Sequence, residues 1–217
     1  MTHLWPQQGA VELRILGSNK GVISGYYDNL PAFARDAGVW SGKASGVYWT
    51  INPCNPALLA RANNRLREYV PRGETTSDAD IIRRRFLPVD IDPTRPAGVS
   101  ATHEEHCEAL ALQGRIADSD FMAALSLRPP FEMDSGNGAY LLYPIDLPND
   151  DTSREIIKRC LEALADKFDA DRARVDTSTY NASRILRVPG TLNCKGDPTT
   201  ERPHRRALLT VAPGVQL

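Results

Sequence analysis

The sequence predicts a mixed α/β (α+β) fold, and three observations predict it. Short runs rich in β-branched and aromatic residues, such as Val47–Ile51, Phe86–Ile91 and Ala139–Ile145, read as strands. Between them lie segments of helical spacing opened by capping boxes, Thr102 with Glu105 and Thr152 with Glu155. The chain of 217 residues is 41% hydrophobic and 24% charged, which supplies a sizeable core and suits a soluble globular protein.

The elements follow in order. A strand is expected within 40–53, carried by Gly46–Asn52. Asn55-Pro56 offers an N-cap with proline at the first helical position, so a helix is expected from there to about Tyr69. Residues 71–80 are polar and read as a loop. The strand from Phe86 ends in Asp90-Ile91-Asp92, and the helix capped by Thr102 comes next. A composition shift at Arg128-Pro129-Pro130 suggests lobes of 1–130 and 131–217. The clearest helix is 152–169, where Ile156, Ile157, Cys160, Leu161, Leu164 and Phe168 recur at helical spacing. Short strands are expected near Arg174–Asp176, Ile185–Val188 and Ala207–Val211, and "LLTVAPGVQL" at the end reads as linker.

Composition excludes several classes. No apolar stretch approaches the 18 or so residues of a membrane span. The opening residues lack the basic-then-apolar pattern of a secretory signal. Four cysteines without a Cys-x-x-Cys pair suit a reducing, cytoplasmic setting. A net charge of −1 rules out a global basic field. Arginine is nevertheless clustered at Arg83, Arg84 and Arg85 and again at Arg202, Arg205 and Arg206. These side chains either contact nucleic-acid phosphates in a local groove or are solvated surface charges.

Three stretches carry candidate chemistry. In "FLPVDIDPTRPAG", Asp90 and Asp92 share one face of a strand while Val89 and Ile91 share the other. Paired carboxylates repel unless a cation sits between them, so the pair reads as a Mg²⁺-type site or as two solvated acids at a strand end. In "DSGNGAYLLYPIDLP", Ser135-Gly136-Asn137-Gly138 is a tight turn or a phosphate cradle, and neither a dinucleotide fingerprint nor a P-loop is present. In "RVDTSTYNASRILRVPGTLNCKGD", Asp176 ends a short apolar approach as a possible third ligand. Arg184 and Arg187, three apart in a strand, fall on opposite faces, and Lys195 follows. Arginine and lysine together suit a triphosphate, or else form ordinary surface salt bridges. His103, His106 and Cys107 share a helix face, but Cys194 is the sole candidate for a fourth zinc ligand, so an exposed helix face is the expectation.

The order of these stretches resembles the archaeo-eukaryotic primase superfamily, and within it the primase-polymerase domains of phages, plasmids and mobile elements. The resemblance rests on "RRRFLPVDIDPTRPAGVSAT", "DSGNGAYLLYPIDLPND", "RVDTSTYNASRILRVPGTLNCKGD" and "ERPHRRALL", and spans about Val47 to Leu209. It implies an N-terminal α/β unit packed on an RRM-like catalytic unit with a cleft between them. It also implies Asp90, Asp92 and Asp176 as catalytic ligands of Mg²⁺ or Mn²⁺. Nucleotide contacts are implied at Ser135, Asn137, Gly138, Tyr140, Arg184, Arg187 and Lys195, and template contacts at Arg83, Arg84, Arg85, Arg205 and Arg206. The implied partners are a single-stranded DNA template, ribo- or deoxyribonucleoside triphosphates and a fused or separate helicase within a longer replication protein. The family's usual histidine two residues after Ser-Gly-x-Gly is Tyr140 here, which donates a hydrogen bond but carries no positive charge. A non-catalytic domain that binds nucleotide or single strands is the alternative, followed by a metal-dependent nuclease.

Overall fold

The computed structural model describes residues 4–210. Three elements precede those the sequence predicts: strands β1 (Val11–Ser18) and β2 (Gly21–Tyr27), and helix α1 (Leu30–Trp40). Alternation in Val11-Glu12-Leu13-Arg14-Ile15 gives β1 one apolar face, and the Asn29 side chain caps α1 at the Ala32 N–H. Strand β3 (Gly46–Thr50) falls where expected.

The helix expected from Asn55 to Tyr69 does not form. Asn55 and Pro56 open only a 3₁₀ turn, Pro56–Arg61, and Asn64 and Tyr69 take φ of 51° and 53°, outside helical space. Residues 62–70 instead lie along the free edge of β2. Tyr26 N–H donates to Ala62 O, while Asn64, Arg67 and Val70 N–H groups donate to Tyr26, Ser24 and Val22 carbonyls. An edge strand in need of partners outweighs local helical propensity.

The remaining elements are β4 (Arg84–Pro93), α2 (His103–Ala117), α3 (Asp120–Ala124), β5 (Phe131–Asp134), β6 (Ala139–Leu147), α4 (Asp151–Phe168), β7 (Ala173–Val175), β8 (Ile185–Arg187), β9 (Leu192–Asn193), β10 (Arg205–Arg206) and β11 (Leu208–Thr210). Thr102 caps α2 in the expected box, with Glu105 reaching back to the Thr102 N–H. Helix α4 is capped by Asp150 rather than Thr152. Its buried stripe is Ser153, Ile157, Leu161 and Leu164, while Ile156 faces outward. Of the ending read as linker, the residues from Val211 onward lie outside the described residues.

Two antiparallel sheets carry the fold, in the orders β2-β1-β3-β8 and β11-β5-β6-β4-β7. They share one core: Leu13, Ile15, Val47, Trp49 and Leu186 from the first meet Phe86, Phe131, Met133, Tyr140 and Leu142 from the second. The opposite face of the second sheet, with Val89, Ile91 and Leu141, packs on Leu112 and Ile116 of α2 and Leu161 and Leu164 of α4. Strands from both sides of residue 130 enter each sheet, and Arg128-Pro129-Pro130 merely joins α3 to β5. Residues 176–184 run from β7 in the second sheet to β8 in the first.

Candidate functional site

Asp90 stands at the centre of this arrangement. On one side its register partner is Tyr140 of β6; on the other, Asp176 continues the β7 register and donates its N–H to Asp90 O at 2.8 Å. The pleat puts Asp90 and Asp92 on the face that carries Phe86 and Tyr140, turned toward the first sheet, while Val89 and Ile91 lie under the helices. Asp90 keeps some exposed surface, yet protein crowds its carboxyl on most sides. Burial, then the like charges of Asp92 and Asp176, push its pKa well above the usual carboxylate range, and Arg184 and Lys195 pull the other way.

Among the described residues no group of three or more His, Cys, Asp or Glu side chains stands in the arrangement of a metal site. The reason is local. Asp92 Oδ1 lies 3.4 Å from Arg95, and Asp176 Oδ1 accepts the Ser178 N–H at 2.9 Å, so neither carboxylate converges on Asp90. The donor chemistry still fits a hard divalent cation, because the crowding of negative charge that raises Asp90 is what a dication would neutralise.

Cations face the acids. Lys195 is half-buried, and desolvation and the nearby Arg95 charge lower its pKa, offset in part by Asp92 and Asp90. Its carbonyl accepts from Ser100 Oγ at 2.9 Å, and no described residue pairs with its ammonium. Arg187 is buried, with its guanidinium 4.8 Å from the Tyr48 ring centre and Nη2 donating to Tyr48 Oη at 2.9 Å. Burial and the Asp90 charge hold the Tyr140 phenol far above its ordinary pKa, with Arg187 opposing. Arg184 departs from Arg187 as the strand spacing predicts: it donates to Ser178 O at 2.8 Å and borders a cavity of about 580 Å³ shared with Arg14, Arg154 and Tyr180.

The Ser-Gly-Asn-Gly stretch is a buried turn. Ser135 N–H donates to Gly138 O, and Gly138 N–H donates in turn to Ser135 Oγ, both at 2.9 Å. Asn137 Oδ1 accepts the Ala101 N–H at 2.8 Å, which leaves its own amide nitrogen buried and unpartnered. An added Cβ at Gly138 would lie 2.3 Å from Ile91 O, so close backbone packing explains that glycine. These contacts fix the turn that leads into β6 and Tyr140.

The arginine clusters also disperse. Arg84 is buried and donates to Tyr180 O at 2.8 Å, which removes it from any outer surface. Arg83 is exposed and paired with Asp146, and Arg85 is exposed beside the same carboxylate. Arg205 donates to Ala101 O and Arg206 to Gly190 O. His106 turns inward to Asp134 at 2.8 Å, while His103 and Cys107 stay on the exposed face of α2. Two site residues escaped the sequence reading. Tyr48 carries no motif, but Arg95 had a signal, three residues beyond Asp92 in Asp-Pro-Thr-Arg.

Among the described residues, no helix is long and apolar enough to cross a membrane. No family model and no curated protein matches the chain. Among solved structures it is similar to the polymerase domain from Mycobacterium tuberculosis Ligase D in complex with DNA, at 17% identity over 93% of this chain and 75% of that one, with a TM-score of 0.48.

Proposed function

We propose that this chain is a DNA-templated nucleotidyltransferase of the primase-polymerase kind, which joins nucleoside triphosphates on a single-stranded DNA template with Mg²⁺ or Mn²⁺. One observation carries the reading: Asp90, Asp92 and Asp176 lie on one sheet face, and the charges of Arg184 and Lys195 bear on Asp90. In this reading the first sheet with α1 is the N-terminal unit, and the second sheet with its helices is the RRM-like unit. The three carboxylates are the metal ligands. Divalent metal bound there supplies a more nucleophilic 3′-hydroxyl and neutralises charge on the phosphates.

The protein's own groups do the rest. Lys195 gives the triphosphate a compact point charge. The Tyr140 hydroxyl, beside Asp90 and without a protein partner among the described residues, donates to an oxygen of the bound nucleotide. Arg187, stacked on Tyr48, keeps a positive charge near that hydroxyl.

The test is incorporation of labelled nucleotide on single-stranded DNA with Mn²⁺ or Mg²⁺, with and without a primer, beside Asp90→Ala/Asp92→Ala. Products that need both aspartates are expected. A folded protein that makes none would favour a second reading, a nucleotide- or single-strand-binding module without catalysis. The specific support for that reading is that Asp92 and Asp176 are turned onto Arg95 and the Ser178 N–H.

A further inference from the structure

Arg95 is a buried cation with unused donors. Its side chain is 8% exposed, whereas its partner Asp92 is 57% exposed. Nη1 donates to Val99 O at 2.7 Å, Nη2 reaches Asp92 only at 3.4 Å, and Nε is buried with no partner. A guanidinium has five N–H donors, and leaving them out of water without acceptors is costly. This one points at the acid cluster and is poorly satisfied there.

The loop that holds it is fastened to the Lys195 loop. Ser100 Oγ donates to Lys195 O, and a Cβ on Gly196 would lie 2.7 Å from Gly98 O, so the two backbones touch. Arg202 and Arg205 donate to Ser100 O and Ala101 O at 2.8 Å and 2.7 Å, and Arg202 is itself held by Glu105 of α2. Two cations thus stand near each other on braced backbone, and the Arg95 charge bears on Lys195. Like charges held together this way are relieved by a polyanion, and a phosphate chain matches both a planar fork and a point charge.

We propose that Arg95 and Lys195 form the phosphate clamp of this site, and that Arg95 exchanges Asp92 for the ligand's phosphates when Asp92 turns to a divalent cation. The inference rests on the nucleotidyltransferase reading and deepens it. The ligand class is a metal-chelated polyphosphate, the outer phosphates of a nucleoside triphosphate. Arg95 is then both the latch that holds Asp92 aside in the empty site and a contact in the filled one.

Calorimetric titration of the whole chain with Mn²⁺ alone, and with Mn²⁺ and inorganic tripolyphosphate, tests this. Arg95→Gln keeps a donor for Val99 O but removes the charge. It is expected to weaken tripolyphosphate binding about tenfold and, by releasing Asp92, to tighten Mn²⁺ binding about threefold. A loop brace alone would not tighten Mn²⁺. Unchanged tripolyphosphate affinity overturns the clamp, and unchanged Mn²⁺ affinity overturns the exchange; either leaves the nucleotidyltransferase reading intact. Wild-type protein that binds neither probe sinks that reading, and this inference with it. Should Arg95→Gln fail to fold, Lys195→Gln takes its place, with a loss of about tenfold expected and no loss overturning the clamp.

Discussion

The two faces of β4 differ in almost everything but their backbone. Val89 and Ile91 have no exposed surface and are clasped by α2 and α4. Asp90 and Asp92, one residue out of phase, look toward the first sheet and crowd negative charge. The same ten-residue strand is core on one side and candidate chemistry on the other. Stability and function are therefore separable here by single alternate positions, and the substitutions below test how cleanly.

The sharpest contrast is Asp92→Ala against Ile91→Ala. Asp92→Ala is expected to cut nucleotide incorporation at least ~10³-fold with an unchanged urea midpoint, since it removes one proposed metal ligand and only a 3.4 Å ion pair. Ile91→Ala leaves a cavity against α2 and α4 and should cost about 2–5 kcal/mol of stability while the folded fraction keeps its activity. If Ile91→Ala silences the folded protein, the two faces are not independent. Gly138→Ala comes next, because a Cβ 2.3 Å from Ile91 O must push the turn away from β4. A loss of about 1–3 kcal/mol in urea unfolding is expected, and a neutral result would mean the turn yields freely. Tyr140→His should have the smallest effect. It places a chargeable ring beside Asp90 and is expected to hold or improve nucleotide affinity by a few-fold in calorimetric titration. A clear loss would assign the tyrosine ring itself a packing role against Phe86 and Leu142.

What was legible in the sequence follows the range of the forces involved. The two-faced character of Asp90-Ile91-Asp92, the Thr102–Glu105 box and, in α4, the Ile157, Leu161 and Leu164 part of the expected stripe are local patterns that appear in the structure. The segment after Pro56 misled because its conformation answers to the unpaired edge of β2, a partner distant in sequence. The opening hairpin and α1 were missed although the alternation Val11-Glu12-Leu13-Arg14-Ile15 and the Asn29 cap were there to see. Within the site, the acids and Lys195 were nominated from residue type and family resemblance. The turn at Ser135–Gly138 is readable from its glycines. Burial marks Arg95, whose one sequence signal is its spacing from Asp92, and stacking marks Tyr48, which has none.

The pairing of β3 with β8 has a consequence for the order of assembly. The Tyr48 hydroxyl receives its hydrogen bond from a guanidinium 139 residues later in the chain. On the ribosome the first sheet must therefore wait, with one edge of β3 unpaired and apolar side chains such as Val47 and Trp49 uncovered, until most of the chain has emerged. Closing so long a loop costs only modest extra entropy but delays the rate at which contacts form. The strand that completes the sheet also delivers Arg187, and the segment leading to it carries Asp176 and Arg184. Nascent chains thus acquire their charged centre late, and the interval before it is when an exposed β3 edge most needs a chaperone.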